Sequence, residues 1–317
     1  MQTKDLILGI DTSNYTTSVA VTNSGGDIVA DFRKPLVVKP GEKGLRQSYA
    51  LFRHVEALPD LIGEAVSGRN EKIAGVAVSV RPRPKEGSYM PVFRAGESFA
   101  AVAAYTLGIP VFKFSHQEGH IEAVKRSCAF NEKSSFLCYH LSGGTCELLK
   151  VSGKEIERIG GTKDISFGQV IDRAGVRLGM QFPCGHEFDG ISISEYGDSR
   201  YLTEIPVNGL WINLSGIDSQ AARLIDSGLN DSDRRPLIKN IFNCISNSLI
   251  KLTENAVIST NITDVLFTGG VSSSKFIYEK LHARFDGSGI EIEFGNQDLS
   301  ADNAVGIALL GGNEIWQ

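Results

Sequence analysis

The sequence predicts an α/β fold made of two tandem units, and three observations carry this prediction. The chain has 317 residues, which are too many for one small core and suit two units of ordinary size. One layout occurs twice along the chain: three strands joined by a bend and a turn, followed by helices. In both repeats the first bend is rich in glycine or hydroxyl residues and directly follows an apolar strand.

The first repeat begins with a three-strand meander whose first bend is Asp11-Thr12-Ser13. Apolar residues at helical period predict a helix over 44–66, in which Pro59 predicts a kink or a break. A second helix, rich in small residues, should end at Gly108. The predicted elements of this repeat are strands 6–10, 17–21, 28–32 and 73–80 and helices 44–66 and 93–107.

A histidine pair follows the predicted strand 109–114. Ser115 and Glu118 have the spacing of a capping box, which predicts a helix that starts here. His116 and His120 would then lie on one face of this helix, where two imidazoles can hold one divalent cation. The pair could also be a chance spacing. Glu118 is a candidate general base, but the capping role explains it without chemistry and is favoured.

The second repeat starts at residue 136 and reproduces the layout, with the bend Ser142-Gly143-Gly144. The segment 181–232 is rich in loops, and its elements cannot be placed from the pattern. The clearest amphipathic helix of the chain is predicted over 236–258. The other predicted elements are strands 136–141, 146–151, 155–159, 265–268 and 290–294 and helices 166–178, 271–284 and 301–310.

Three small-residue bends are expected to converge on a cleft between the two units: Asp11-Thr12-Ser13, Ser142-Gly143-Gly144 and Gly269-Gly270. Backbone N–H groups at such bends bind anions and suit the phosphates of a nucleotide. Any one of these bends is weak evidence, because most glycine turns only turn the chain. Their matching topological positions strengthen the prediction of a nucleotide site.

Composition limits the partners that we expect. The formal net charge of -5 excludes a global basic field, so a tRNA partner would need a local patch. Arg81, Arg83, Lys85 and Arg94 could form that patch, or bind an acidic substrate, or lie on a solvated loop. Five cysteines without a C-x-x-C pair argue against a disulfide framework. With no signal-peptide pattern and no membrane-spanning run, we expect a cytoplasmic protein.

Seven motifs of the chain can be compared with those of known families: Gly9-Ile-Asp-Thr-Ser13, H-x-E-G-H at 116–120, Leu141-Ser-Gly-Gly144, Phe167-Gly-Gln-Val-Ile-Asp172, Phe182-Pro-Cys-Gly185, Gly269-Gly-Val-Ser272 and Ala301-Asp-Asn-Ala304. On these motifs, the chain resembles the sugar kinase/Hsp70/actin superfold, whose lobes are ribonuclease H-like. More narrowly, it resembles the tRNA threonylcarbamoyladenosine transferase family, long described as O-sialoglycoprotein endopeptidases. The resemblance implies two actin-like lobes with a nucleotide and metal cleft between them: residues 1–115, to which a C-terminal helix at about 298–317 returns, and residues 116–297.

The resemblance also implies site residues. Iron or zinc would be held by His116, His120 and Asp302, with His140 as a further ligand at a position where some members have a tyrosine. An adenine nucleotide or acyl-adenylate would contact the Ser142-Gly143-Gly144 bend with its phosphate. The remaining positions implied to contact the nucleotide are Asp172 at the ribose, Gly185 and Asp189 on the adenosine side, and Asp11, Thr12, Ser13, Gly269, Gly270 and Ser274.

Four departures from the family pattern bear on function. No carboxylate follows Ser13, Ser274 replaces an asparagine, Thr145-Cys146 follows the glycines, and Arg81-Pro-Arg-Pro-Lys85 replaces a glycine-rich segment. The first hypothesis is a metal-dependent transferase that carries a carbamoyl-type group from an adenylate to an adenosine in tRNA. The alternative is a divergent metal- and nucleotide-binding paralogue with another small-molecule substrate, or a partner subunit of a paralogue. An endopeptidase is disfavoured, since Glu118 is not placed as in H-E-x-x-H.

Overall fold

The computed structural model describes residues 5–37 and 45–316. By internal contacts the chain forms two compact units, Met1–Ser127 with Asp298–Gln317, and Cys128–Gln297. We call these the first and the second unit. The sequence-based boundary after residue 115 differs from this division, because the helix that begins at His116 packs with the C-terminal helix and therefore groups with the first unit.

Each unit contains three consecutive strands, within residues 6–35 and 135–162, followed by helices, as the repeat predicts. The strands are β1 Leu6–Thr12, β2 Thr16–Asn23, β3 Ile28–Pro35, β4 Ile73–Arg81, β5 Val111–Ser115, β6 Ser135–Leu141, β7 Cys146–Ser152, β8 Glu155–Thr162, β9 Val207–Asn208, β10 Trp211–Ile212, β11 Asp264–Thr268 and β12 Glu291–Phe294. The helices are α1 Gln47–Val66, α2 Phe93–Leu107, α3 His116–Arg126, α4 Phe167–Arg177, α5 Gly185–Ser194, α6 Ser215–Asp226, α7 Asp231–Thr260, α8 Lys275–Phe285, α9 Gln297–Ser300 and α10 Val305–Trp316, with a 3-10 turn at Gly270–Ser273.

Both units contain the same five-strand sheet. The first sheet has the order β3-β2-β1-β4-β5, and the second has the order β12-β11-β6-β7-β8-β10-β9, in which the same pattern reads from β8 back to β12. In the first unit β1 pairs antiparallel with β2 and parallel with β4. In the second unit β6 pairs in the same way with β7 and β11. The predicted fold class, two tandem α/β units, is confirmed.

The core of the first unit lies on both faces of its sheet. Leu6, Leu8 and Ile10 alternate along β1 and pack with the buried residues of α1 and α2. Ile7 lies on the opposite face and packs with Ile307 and Ala308 of α10. The C-terminal helix therefore covers the face of the sheet that the first two helices leave open.

Three features differ from the predictions. Pro59 does not break α1, which continues to Val66 with Leu58 and Leu61 buried on either side of the proline, so only the predicted kink stays open. This burial offsets the lost backbone hydrogen bond. Helix α7 begins at Asp231, so Pro236 also lies inside a helix, near its start. The segment that could not be placed contains α5, α6 and two short strands.

Two further observations describe the chain as a whole. All five cysteines are free thiols. Within residues 5–37 and 45–316, the helices lack the length and apolar character that crossing a bilayer requires.

Candidate metal centre

The histidine pair lies at the start of α3, where a capping box fixes the helix. The Ser115 Oγ accepts a hydrogen bond from the Glu118 N–H at 3.2 Å, and the Ser115 N–H donates to the Glu118 carboxylate at 2.6 Å. Both partners therefore satisfy orphan groups of the helix terminus. This arrangement supports the favoured structural role of Glu118. His116 is the first helical residue, and His120 follows one turn later on the same side.

Asp302 reaches the histidines from the turn that precedes α10. Asp302 was predicted to lie in the last helix, but that helix begins at Val305. The Asn303 side chain explains the later start. Its Oδ1 accepts from the Val305 N–H at 2.9 Å, and its Nδ2 donates to the Leu299 and Ala301 carbonyls. Asn303 thus caps the helix and holds the residue before it outside the helix.

The three side chains meet in one cluster. The Nε2 atoms of His116 and His120 are 2.9 Å apart, and they lie 3.5 and 3.3 Å from Oδ1 of Asp302. One donor atom from each residue falls within 4.8 Å of the other two. In tetrahedral coordination with Zn–N bonds of about 2.0–2.1 Å, ligand atoms lie about 3.3 Å apart. The observed separations match those that a single ion requires.

Two residues of the first bend support the cluster. The Asp11 Oδ1 lies 2.9 Å from Nδ1 of His116, so in the neutral ring this nitrogen carries the proton and Nε2 is the electron-pair donor. The Ser13 hydroxyl donates a short hydrogen bond to Oδ2 of Asp302, which orients the carboxylate. Asp11 is fully buried, and its other oxygen is buried without a hydrogen-bond partner in the described chain.

His54 of α1 holds the bend itself. Its Nε2 is 2.8 Å from the Ser13 carbonyl oxygen, and its Nδ1 is 2.8 Å from the Thr17 hydroxyl. Burial lowers the pKa of His54, which favours the neutral ring. A neutral ring donates through one nitrogen and accepts through the other, as these two contacts require.

The electrostatics of the cluster favour a positive charge at its centre. Burial alone would lower the pKa of His116, but the Asp11 and Asp302 carboxylates outweigh it and raise that pKa well above the usual value. Burial would raise the pKa of Asp302, and hydrogen bonds from His116 and His120 instead hold it well below its usual range. The carboxylates would stabilise a divalent cation by the same attraction.

Chemically, these residues fit a transition-metal ion. Two imidazoles and one carboxylate form a donor set that suits zinc or iron. Asp11 supplies the carboxylate that orients a ligating histidine. Asp11 and Ser13 were predicted to contact a nucleotide, and their contacts with His116 and Asp302 were not foreseen. The only signal in the sequence was that Asp11 directly follows the apolar strand predicted over 6–10, and such a signal does not identify a partner 105 positions away.

His140 and the second bend lie in the second unit. His140 is the half-buried penultimate residue of β6. Its role as a further metal ligand stays a prediction. After β6, the Ser142 Oγ accepts from the Thr145 N–H at 3.1 Å, and Gly143 and Gly144 are exposed. The Gly143 carbonyl accepts from the Ser166 hydroxyl at 2.6 Å, which ties this bend to the start of α4.

The remaining predicted nucleotide positions of the second unit form two hydrogen-bonded groups. Asp172 accepts from the Cys184 N–H at 2.8 Å, directly before Gly185, and burial raises the pKa of this carboxyl. Asp189 accepts from the Ser274 hydroxyl at 2.5 Å and from the N–H groups of residues 275 and 276. Asp189 therefore caps α8. Their nucleotide contacts stay predictions.

Glycine is required at Gly269 of the third bend. Its φ of 94° is one that other residues rarely adopt, and a Cβ there would collide with the Leu141 carbonyl. Gly270 follows and begins the 3-10 turn. The third bend thus packs directly against the end of β6, the strand that carries His140.

Comparison with known proteins gives one family. The family model described as tRNA N6-adenosine threonylcarbamoyltransferase matches residues 39–309. A protein of that name from Neorickettsia sennetsu is 28% identical over 96% of this chain and 92% of its own length. A probable bifunctional tRNA threonylcarbamoyladenosine biosynthesis protein from Methanocaldococcus jannaschii is 27% identical over 96% of this chain, which spans 55% of that protein.

Solved structures of distant proteins share the fold. Full-length HypF superposes with a TM-score of 0.63 at 13% identity, over 100% of this chain and 57% of HypF. Component A of the (R)-2-hydroxyglutaryl-CoA dehydratase from Acidaminococcus fermentans gives 0.57 at 14% identity, over 98% of both chains. A glucokinase of the ROK family from Streptomyces griseus gives 0.52 at 13% identity, over 96% of this chain and 98% of its own.

Proposed function

Because this chain belongs to the tRNA N6-adenosine threonylcarbamoyltransferase family, we propose that it transfers a threonylcarbamoyl group from an adenylate to the N6 amine of an adenosine in tRNA. The observation that carries the proposal is the cluster of His116, His120 and Asp302, with Asp11 behind it. Such a substrate implies that the protein works in the cytoplasm.

In this proposal a divalent ion of iron or zinc is held by His116, His120 and Asp302, and His140 completes the set. The ion, when bound, supplies Lewis acidity that polarises the carbonyl of the donor. Asp11 keeps the proton on Nδ1 of His116, so Nε2 stays available as a ligand atom. Ser13 fixes the Asp302 carboxylate, and burial of His120 and Asp11 keeps water away from this side of the cluster.

The transfer balances without an added reactant. The amine nitrogen forms a bond to the carbamoyl carbonyl carbon, and the bond from that carbon to the adenylate phosphate oxygen breaks. The electron pair leaves with AMP, and one amine proton is released to water. The exposed glycines Gly143 and Gly144 leave room for the adenylate phosphate, while Asp172, Gly185 and Asp189 suit its ribose and adenine.

The metal part of the proposal is tested by metal analysis of purified protein. The unchanged protein should retain about one iron or zinc ion per chain, and His116→Ala and Asp302→Asn should lose it. His140→Ala tests the fourth ligand. His282 of α8 is half-buried, as His140 is, and packs against Tyr278, so His282→Ala serves as the matched control with full occupancy. Full occupancy in His116→Ala and His140→Ala would reject the ligand set.

The transfer itself is tested on tRNA. In a strain that depends on this gene, mass spectrometry of tRNA nucleosides should detect threonylcarbamoyladenosine. Its absence, with folded protein present in the cells, would reject the transferase proposal and leave the metal site standing.

A second candidate is a paralogue that serves as a partner subunit or acts on another small molecule. Two observations favour it. The residues after Ser13 are Asn14, which bonds to Gln47, and an exposed Tyr15, so no carboxylate stands there. Helix α1 exposes Tyr49, Phe52 and Val55, and α2, which packs beside it, exposes Val102, Tyr105 and Leu107. A thermal-shift screen with ATP, AMP and carbamoyl adenylates, run alongside light scattering, would separate the two candidates.

A further inference from the structure

Arg81 lies at the carboxyl end of β4, a central strand of the sheet in the first unit. Strand β4 is parallel to β1 on one side and to β5 on the other, and Arg81 is its last residue. From β1 the chain turns to β2 on one side of the sheet, and from β4 it continues to β5 on the other side. The two connections therefore diverge between β1 and β4. In open α/β sheets ligands bind at such a point, outside the carboxyl ends of the strands.

The backbone holds Arg81 next to the metal cluster. Arg81 pairs in the ladder with Ser115, the residue directly before His116. The following carbonyl, that of Pro82, accepts a hydrogen bond from the Gln117 N–H at 3.0 Å. The ladder shifts by one residue between Ser79 and Arg81, which is a bulge that redirects the end of the strand. The position of Arg81 is therefore fixed relative to the first turn of α3.

The side chain of Arg81 has donors that the described residues leave unused. Arg81 is half-buried, and its Nε is buried without a hydrogen-bond partner in residues 5–37 and 45–316. Arg94, in the same basic segment, instead pairs with Glu97. A buried guanidinium N–H without a partner is costly, and its fork of donors matches a carboxylate or a phosphate. An unpaired arginine beside a metal cluster thus indicates an anionic ligand.

We propose that Arg81 binds an oxyanion of the small-molecule substrate at the carboxyl edge of the first sheet. This inference rests on the proposed function and deepens it. A threonylcarbamoyl adenylate carries a carboxylate on its amino-acid part and a phosphate on its nucleotide part. Either group accepts two parallel hydrogen bonds from a guanidinium. The arginine replaces the glycine-rich segment expected of the family, so this contact would be a feature of this chain.

The test is calorimetric binding of two separate probes to the metal-loaded protein: N-carbamoyl-L-threonine for the carboxylate and AMP for the phosphate. In Arg81→Gln, the affinity for one probe should fall about 10- to 100-fold, as expected for a lost charged hydrogen bond. Arg81→Lys should recover part of this loss, because it restores the charge without the fork. Arg94→Gln removes one positive charge from the same segment and should bind both probes normally.

The probe that is affected identifies the oxyanion. Binding of both probes to Arg81→Gln within twofold of the unchanged protein would overturn the inference, and so would no binding of either probe to the unchanged protein. The tRNA assay separates this result from the proposed function. If Arg81→Gln modifies tRNA and binds both probes normally, the proposed function stands and the inference is wrong. Probe binding that depends on Arg81, in a protein that does not modify tRNA, would leave the inference and remove the proposed function.

Discussion

The first bends of the two units are the same hairpin with different chemistry. Thr12 pairs with Thr17 across the first bend, and Leu141 pairs with Cys146 across the second, so each bend encloses four residues. Asp11 and His140 therefore occupy equivalent positions. Asp11 is fully buried and bonded to a histidine, whereas His140 is half-buried and stands opposite Glu147, a buried carboxylate 3.5 Å from Nε of an arginine.

The two bends also differ in what they expose. In the first bend, Ser13 is bonded to Asp302 and its carbonyl to His54, so side chains of the same unit close it. In the second bend, no described atom lies within 4 Å of the place that a Cβ would take at Gly143 or Gly144. One hairpin can thus position ligands with its side chains, while its repeat leaves room for a ligand beside its backbone.

The largest predicted effect concerns Gly306 in the first unit, where two helices pack closely. In Gly306→Ala, the added Cβ would collide with the Gly119 carbonyl, where α10 crosses α3. We expect a loss of about 3 kcal/mol in the free energy of unfolding, since backbone cannot move as a flexible side chain does. Gly144→Ala, at the open bend, should change it by less than about 0.5 kcal/mol. Urea unfolding measures both, and equal losses would mean that the first unit is not the more tightly packed.

The second prediction concerns Asp11, the counterpart of His140. Asp11→Asn removes the charge behind His116, and zinc affinity should fall by about tenfold, or about 1.4 kcal/mol. Competition with a chromophoric chelator measures the affinity. Asp172→Asn removes a half-buried carboxylate from the second unit and is the matched control. A loss that is equal in the two variants would show that Asp11 does not act through the histidine.

The third prediction concerns Asp164, which accepts hydrogen bonds at the start of α6, a helix that lies outside the five-strand repeat of the second unit. Asp164 accepts from the N–H groups of Leu214 and Ser215, at 2.9 and 3.0 Å, where α6 begins. Burial would raise the pKa of Asp164, but these hydrogen bonds outweigh it and hold the pKa well below its usual range. Because Asp164 is exposed, we expect Asp164→Asn to cost only about 1 kcal/mol at pH 7.

The stabilisation by Asp164 should depend on pH in a defined direction. A carboxyl whose pKa is lower in the folded state stabilises the protein fully above its unfolded pKa of about 3.9, and this stabilisation is lost as the pH falls toward the folded value. The difference in the free energy of unfolding between the unchanged protein and Asp164→Asn should therefore become smaller from pH 7 to pH 3. A difference that stays constant would contradict the hydrogen-bonded carboxylate.

The smallest predicted effect concerns Glu118. Both units begin a helix with a capping box, Ser115 with Glu118 in α3 and Ser166 with Gln169 in α4. Glu118→Gln makes the first box like the second and should cost less than about 1 kcal/mol, the loss of one charge at a helix N-terminus. tRNA modification should be retained. A fall in modification of 100-fold or more would instead show that Glu118 is a general base, and Gln169→Glu is the reciprocal control.

Local chemistry allowed several features to be predicted from the sequence. The end of α2 at Gly108 follows from its left-handed φ of 67°, and the start of α3 follows from its capping box. The bond between Asp11 and His116 could not be predicted, because it forms only when distant segments pack. The place of Asp302 was misjudged, since the Asn303 cap makes the helix start later than the apolar pattern suggests.

The crossing of α3 and α10 has a consequence for how the ion is acquired. Gly119 lies between the two histidines and Gly306 lies four residues after Asp302, so contact between the two helix backbones sets the spacing of the ligands. The packing of the two helices itself fixes the ligand spacing, so loading of an ion need not be coupled to folding, as it is in zinc fingers. Affinity for such a site generally rises along the first-row series toward copper. Which metal occupies it in the cell would then depend on supply.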